Sequence, residues 1–492
     1  MKKRLVVFLL GEDDDAKKIS EKISHFGGIV QMLNRNHDLL SCLKKAGFAK
    51  GGIRTKILGE KKYNIILTPD NASTPDDARL IAKAAKSHGV NHEKLDVFVF
   101  TSSEWERKEV EEITQAQEDG KRQYPYTFHI ISEVDLLIRQ MIQKHPPFTC
   151  PGLQISNGVA ARDFTVMICG FGTRGQSALL RLIMNGQFVG SNMRAIIVDK
   201  NINELRDCFL QRYPHLELCC SMEFMDIDVQ CNEFFKLLHE DNHFDYIVIT
   251  LHKNEINKQI ALNIQSHYKR RDVNSFPFIA VSEKNGSLHE IEKDKKVFTF
   301  GCREEIYKES VIIREEANRM AKAVHDVYGG ESPWHEREWF YQESNRAVAD
   351  FIPAMLMLAD ITEVDAMGRD TLTEDNTLVE ILAHTEKIRW NAFHAAMGYR
   401  PISIEEMQDR FDTYPGEKNS PGCLDFSRKD SNSRLHICLA PWDELDEISK
   451  AYRELACRAC VTKDEKRDFK DYDREIVKYI PQFLNAAKKK KQ

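Results

Sequence analysis

A short apolar run, Val166-Met167-Ile168-Cys169, passes directly into Gly170-Phe171-Gly172-Thr173-Arg174-Gly175, and residues 176–184 continue with helical hydrophobic spacing. A strand, a G-x-G-x-x-G turn and a helix in that order point to a mononucleotide-binding βα unit. Each glycine has its own duty there. Gly170 permits the tight turn, Gly172 lets backbone amides approach a pyrophosphate, and Gly175 lets the helix pack against the sheet. Phosphates would face the helix N-terminus, where unpaired amides and aligned peptide dipoles favour negative charge. Arg174 is expected to add a charge-assisted bond, with Phe171 and Thr173 completing the loop.

Asp199 closes the next strand, after Ala195-Ile196-Ile197-Val198, about where a ribose-binding acid belongs. A carboxylate there accepts hydrogen bonds from ribose hydroxyls and repels a 2'-phosphate, so NAD(H), ADP or ATP is expected rather than NADPH. In the plainer alternative, Asp199 only caps its strand and the glycines only serve a turn.

The chain has 492 residues, too many for one hydrophobic core at roughly 100–200 residues per domain. Its 42% hydrophobic and 30% charged residues are ordinary for a globular protein. A formal net charge of -6 gives no electrostatic footprint for nucleic acid, and the lysines at 488–491 read as a solvated tail. The apolar run at 5–10 follows basic residues but is too short for a secretory signal, and nothing approaches the ~18 consecutive apolar residues of a membrane span. A cytoplasmic protein without direct membrane insertion is expected. Twelve cysteines without regular spacing read mostly as reduced core residues. Cys457 and Cys460 form one CxxC, either a redox pair or half of a zinc site with Cys423 and Cys438, but no metal site is assigned.

Residues 1–150 alternate strand-like runs, at 4–10, 28–33, 63–67, 95–100 and 126–131, with amphipathic helical stretches. Asn64-Ile65-Ile66-Leu67 and Val97-Phe98-Val99-Phe100 are continuous apolar runs of the kind that parallel strands buried on both faces need. The first strand ends in Gly11-Glu12-Asp13-Asp14-Asp15, whose carboxylates repel a pyrophosphate, so this half is expected to be a degenerate Rossmann unit. Pro146, Pro147 and Pro151 mark a boundary, after which strands are expected at 164–169, 195–198, 246–250, 278–281 and 297–300. From about residue 303 the pattern is mostly helical.

Residues 162–305 resemble the TrkA-N domain, the nucleotide-binding domain also called the RCK domain of potassium channels and transporters. The resemblance rests on the glycine loop with Arg174, Asp199, Asp226 within Met225-Asp226-Ile227-Asp228, and Thr250 with Asn254 after the fourth strand. It implies that Asp226 lies beside the adenosine, although the family usually has Gly where this chain has Met225. Residues 1–150, with Thr68-Pro69-Asp70 and Asp77-Ala78-Arg79, look like a diverged relative of the same domain.

Residues 372–488 resemble the RyR domain of ryanodine receptors. The resemblance is carried by Glu386 to His394 on a helix, Gly398-Tyr399, His436-Ile437-Cys438-Leu439-Ala440-Pro441-Trp442-Asp443-Glu444-Leu445, and Asp473-Arg474. A shorter version precedes it over 310–368: Ser332-Pro333-Trp334 matches Ala440-Pro441-Trp442, and Asn345-Arg346 matches Asp473-Arg474. The fold expected is therefore α/β: two tandem doubly wound Rossmann-like domains, then a mostly helical RyR-like unit spanning about 310–485 with pseudo-symmetric halves. Trp390, His394, Tyr399, His436, Trp442 and Arg474 either line a pocket that stacks a base and meets a phosphate, or anchor the core while Arg474 pairs with Asp443 or Glu444.

The leading functional expectation is a sensor that binds NAD(H) or ADP/ATP through the glycine loop and is read by the RyR-like unit. The resemblance implies a link to potassium transport through a separate channel or transporter subunit, and a homodimer. Two rivals stand beside it. One is an NAD-dependent oxidoreductase, for which His252 is the only candidate acid and no catalytic set is assigned; the other is a receptor for a nucleotide second messenger in defence or signalling.

Overall fold

A computed structural model describes residues 6–10, 14–25, 29–33, 63–68, 74–87, 95–118, 121–124, 126–240, 243–270, 276–284, 286, 295–328, 332–368, 372, 376–462 and 467–489. Gly11, Glu12, Asp13, Pro69, Asp70, Lys490 and Lys491 lie outside them. The chain divides into two compact units. One comprises Met1–Gln140, Lys284–Gly286 and Gly301–Glu343, the other Met141–Glu283, Ser287–Phe300 and Ser344–Gln492.

The first unit is built on five parallel strands: β1 (Val6–Leu10), β2 (Ile29–Leu33), β3 (Tyr63–Leu67), β4 (Leu95–Thr101) and β5 (Thr127–Ser132). Helices α1 (Asp14–His25), α2 (Thr74–Ser87), α3 (Glu104–Gln115) and α4 (Glu133–Lys144) alternate with them. The strand order is β2-β1-β3-β4-β5. This is the second common doubly wound order, distinct from the paired mononucleotide halves expected of a Rossmann-type unit. Side chains alternate across the sheet, which explains the continuous apolar runs. Phe8, Ile65, Val97 and Val99 enter one core; Val7, Leu9, Ile66, Phe98 and Phe100 enter the other.

That second core also contains Ile306, Tyr307 and Ile312. Arg303 fixes the same segment by ion pairs, its Nε donating to Glu133 at 2.6 Å and a terminal nitrogen to Asp15 at 2.9 Å. Residues Gly301–Glu343 fall in the same compact unit as the N-terminal sheet, and Ser344 onward falls in the other. Contacts across nearly 300 positions leave no mark in local hydrophobic spacing.

The second unit holds six parallel strands: β6 (Thr165–Cys169), β7 (Arg194–Asp199), β8 (Ser221–Asp226), β9 (Tyr246–Ile249), β10 (Phe278–Ser282) and β11 (Val297–Phe300). Their order, β8-β7-β6-β9-β10-β11, is that of a Rossmann sheet. Helices α5 (Thr173–Asn185), α6 (Ile202–Arg212), α7 (Asn232–Glu240) and α8 (Asn254–Lys269) connect them. The rest of this unit is largely helical: α9 (Asn376–Ala396), α10 (Ile404–Asp412), α11 (Pro421–Arg428), α12 (Leu445–Arg458) and α13 (Lys470–Lys489). A sheet of three two-residue strands, with Leu435–His436 in the middle, lies among them. Helix α9 packs along α13 and against α5. Among the described residues no helix is long and apolar enough to cross a membrane.

Candidate functional site

The chain leaves β6 toward one edge of the sheet and β9 toward the other, so a crevice opens between them at the carboxyl ends of the strands. The glycine loop sits there. Gly170 has φ +92°, a left-handed conformation that favours glycine, and its amide donates to the Val198 carbonyl at 2.9 Å. Thr250, just past β9, donates its hydroxyl to the Gly170 carbonyl at 2.7 Å. A Cβ at position 175 would collide with that same carbonyl, so the close packing of α5 on the turn requires Gly175.

Gly172 is the N-cap of α5 and makes no side-chain cap. A Cβ built on it meets nothing within 4 Å, and Gly172 and Thr173 are both exposed. The first turn of α5 therefore begins beside open space. The Phe171 ring is buried against Phe209 and Phe224, with centroids 4.9 and 5.7 Å away, and anchors the loop from below.

Asp199 is half-buried beside this turn. One carboxylate oxygen accepts the Phe171 amide at 2.7 Å and the other accepts the Asn201 amide at 2.9 Å. Each oxygen has a further lone pair available to a hydroxyl donor. Asp226 stands in register with Asp199 on the next strand and is exposed.

Arg174 turns toward another strand end. Its guanidinium donates to the Ser282 hydroxyl at 2.8 Å and to the Glu283 carbonyl at 3.2 Å, at the end of β10. Asn257, 1% exposed in the first turn of α8, reinforces this side. It accepts the Leu251 amide at 3.0 Å and donates to the Ser282 carbonyl at 2.8 Å. Ser282, Glu283 and Asn257 were not expected from sequence. The available signal was a polar residue at 257 on the same helical stripe as Ile260, Ala261 and Ile264, all buried. His252 is exposed just beyond β9.

The six residues proposed for a second pocket are only partly brought together. Trp390 stacks on His394 at 3.6 Å, and His436 and Tyr399 approach at 5.0 Å from Trp390 and 5.1 Å from His394 respectively. Burial pushes His394 down to about 3 and His436 well below the usual histidine range, so both rings are neutral. Lys387, buried on the same helix, lies 4.3 Å from the Trp390 ring and donates to the Cys438 carbonyl. Trp442 stands apart, stacked on His384 at 5.3 Å with Lys470 over its ring at 4.9 Å. Arg474 is clamped by Glu380 at 2.6 Å, Asp471 at 2.8 Å and Asp468 at 3.0 Å, rather than by Asp443 or Glu444. Cys423 and Cys438 are buried while Cys457 and Cys460 are exposed.

No family model matches the chain, and no curated protein matches it. Among solved structures it is similar to the crystal structure of a ketoreductase domain from the bacillaene assembly line. The two share 12% identity over 57% of this chain and 69% of that one, with a TM-score of 0.18. That score is too low to establish shared geometry, so the Rossmann-like α/β architecture rests on the parallel sheet and its strand order.

Proposed function

We propose that the second unit binds an adenine nucleotide at the carboxyl end of its sheet and serves as a ligand-responsive regulatory module. The observation that carries this reading is the open turn. Empty space at Gly172 adjoins the first turn of a thirteen-residue helix, with the Asp199 carboxylate one hydrogen bond away at Phe171. Backbone amides there suit phosphates and the carboxylate suits ribose hydroxyls.

The regulatory half of the reading is supported by where the flanking helices end. Helix α5 starts at the glycine loop and packs on α9. Helix α6 starts just after Asp199, and its last carbonyl, that of Arg212, lies 3.2 Å from where a Cβ would stand on Gly398, the left-handed residue after α9. A nucleotide that binds one arrangement of these helices better than another shifts their equilibrium by that difference. Thermal-shift titration with ADP, ATP, NAD and NADH tests the proposal: at least one is expected to raise the melting temperature, and Gly172→Asp is expected to abolish the response. No shift with any of the four overturns it.

A further inference from the structure

Resting on the nucleotide reading above, we infer that the crevice is a mononucleotide site, and that Arg174 is the residue that excludes a dinucleotide. A Rossmann sheet offers two mononucleotide-binding halves, and a dinucleotide lies across both at the switch point. Here the halves are unequal. On the β6-β7-β8 side lie the open turn at Gly172, Asp199 and the exposed Asp226. On the β9-β10 side the Arg174 side chain crosses from the first turn of α5 to the end of β10, two strands and about 10 Å from β6.

The Arg174 strap is well anchored. Ser282 and Glu283, its two acceptors, are 3% and 2% exposed, and Asn257 ties the Ser282 carbonyl to the turn after β9 through Leu251. The second nucleotide of a dinucleotide would have to displace the guanidinium from both acceptors and leave them buried without it. Breaking charge-assisted hydrogen bonds to groups this buried costs more than breaking neutral bonds at the surface. ADP or ATP, confined to the first half, leaves the strap in place. A 2'-phosphate is further disfavoured by the paired carboxylates of Asp199 and Asp226.

Isothermal titration of the full chain with ADP and with NADH tests the assignment. The wild-type protein is expected to bind ADP at least about tenfold more tightly than NADH. Arg174→Ala, and more weakly Ser282→Ala, should narrow that ratio by strengthening NADH binding. Circular dichroism melts confirm that each variant is folded, and the wild-type ratio stands as a test without them. Equal affinities in the wild type, or a ratio that neither substitution moves, overturn the strap while leaving nucleotide binding intact. Failure of both nucleotides to bind overturns the nucleotide reading and the strap together.

Discussion

The imidazole Nδ1 of His129 lies 3.2 Å from a carboxylate oxygen of Glu315, a residue 186 positions further along the chain. The ring stacks on Phe98 at 4.4 Å, its other nitrogen is 3.7 Å from Asp96, and Lys322 bonds the same Glu315 oxygen at 2.5 Å. Burial disfavours the charged imidazole, but Glu315 and Asp96 outweigh it and lift His129 to about 9. Burial likewise opposes the Glu315 carboxylate, yet His129 and Lys322 hold it well below the usual carboxylate range.

The sign of the pH effect follows from these two shifts. His129 contributes stability that is full below its ordinary pKa of 6.5 and is lost as pH rises through about 9. The Glu315 contribution is present above 4.5 and lost as pH falls below that. From pH 6.5 to 9 the first unit should therefore weaken, by on the order of 2–3 kcal/mol for a side chain this buried. Urea unfolding at the two pH values should show the wild-type midpoint falling more than that of His129→Gln; parallel falls would remove the pair as the cause.

Two glycines of the same turn should differ in their tolerance of a side chain. Gly175→Ala forces a methyl group into the Gly170 carbonyl and to 3.0 Å from the Thr250 hydroxyl, an overpacking expected to cost about 1–3 kcal/mol. Gly172→Ala, with φ -69° and empty space around its Cβ, meets no clash and should cost only the loss of a glycine N-cap, no more than about 1 kcal/mol. Chemical denaturation of both variants decides the point, and equal losses would contradict the packing described for α5.

Arg474→Ala tests whether this arginine is a clamp or a ligand contact. Glu380 above all, with Asp471 and Asp468, keeps the guanidinium charged, and all four side chains keep contact with solvent. Removal should lower stability by about 1 kcal/mol, as for an exposed ion-pair network, and leave ADP affinity unchanged. A loss of affinity with no loss of stability would favour the phosphate-contact role.

Among the described cysteines, reactivity should follow exposure. Burial pushes the Cys150, Cys169 and Cys220 thiols up, whereas Cys208, Cys457 and Cys460 are exposed. Iodoacetamide labelling of the native chain followed by peptide mass spectrometry should modify the exposed three first. Early modification of Cys169 would show that the strand beneath the glycine loop opens readily.

Much of the second sheet was legible from sequence because its central strands are apolar on both faces, as in Val166 to Cys169 and Ala195 to Val198. Strand β8 was not picked out as an apolar run. It is an edge strand in which exposed and half-buried residues alternate, so Ser221-Met222-Glu223-Phe224-Met225-Asp226 carries no continuous hydrophobic signal. Ser282 and Glu283 lie just past the strand expected at 278–281 and carry no signal of their own, because their contact is with Arg174, more than a hundred residues earlier.

The internal repeat shows the limit of local pattern in another way. Pro333 and Pro441 have nearly the same conformation, with φ -55° and -56°, and each precedes a single 3-10 turn beginning at tryptophan, Trp334–Glu336 and Trp442–Glu444. Each tryptophan also packs on a histidine, Trp334 on His325 and Trp442 on His384. The similarity is real at the scale of one turn, yet Trp334 and Trp442 belong to different compact units. Local chemistry sets the turn, and the wider hydrophobic surface decides which core it joins.

The wedge between Gly170 and Gly175 also bears on how a signal could start. On the nucleotide reading proposed above, a turn packed this closely would need little reordering to receive a phosphate. On the same reading, the sugar end would have its own link to the helices, because Asp199 joins the glycine turn to the start of α6 through the amides of Phe171 and Asn201.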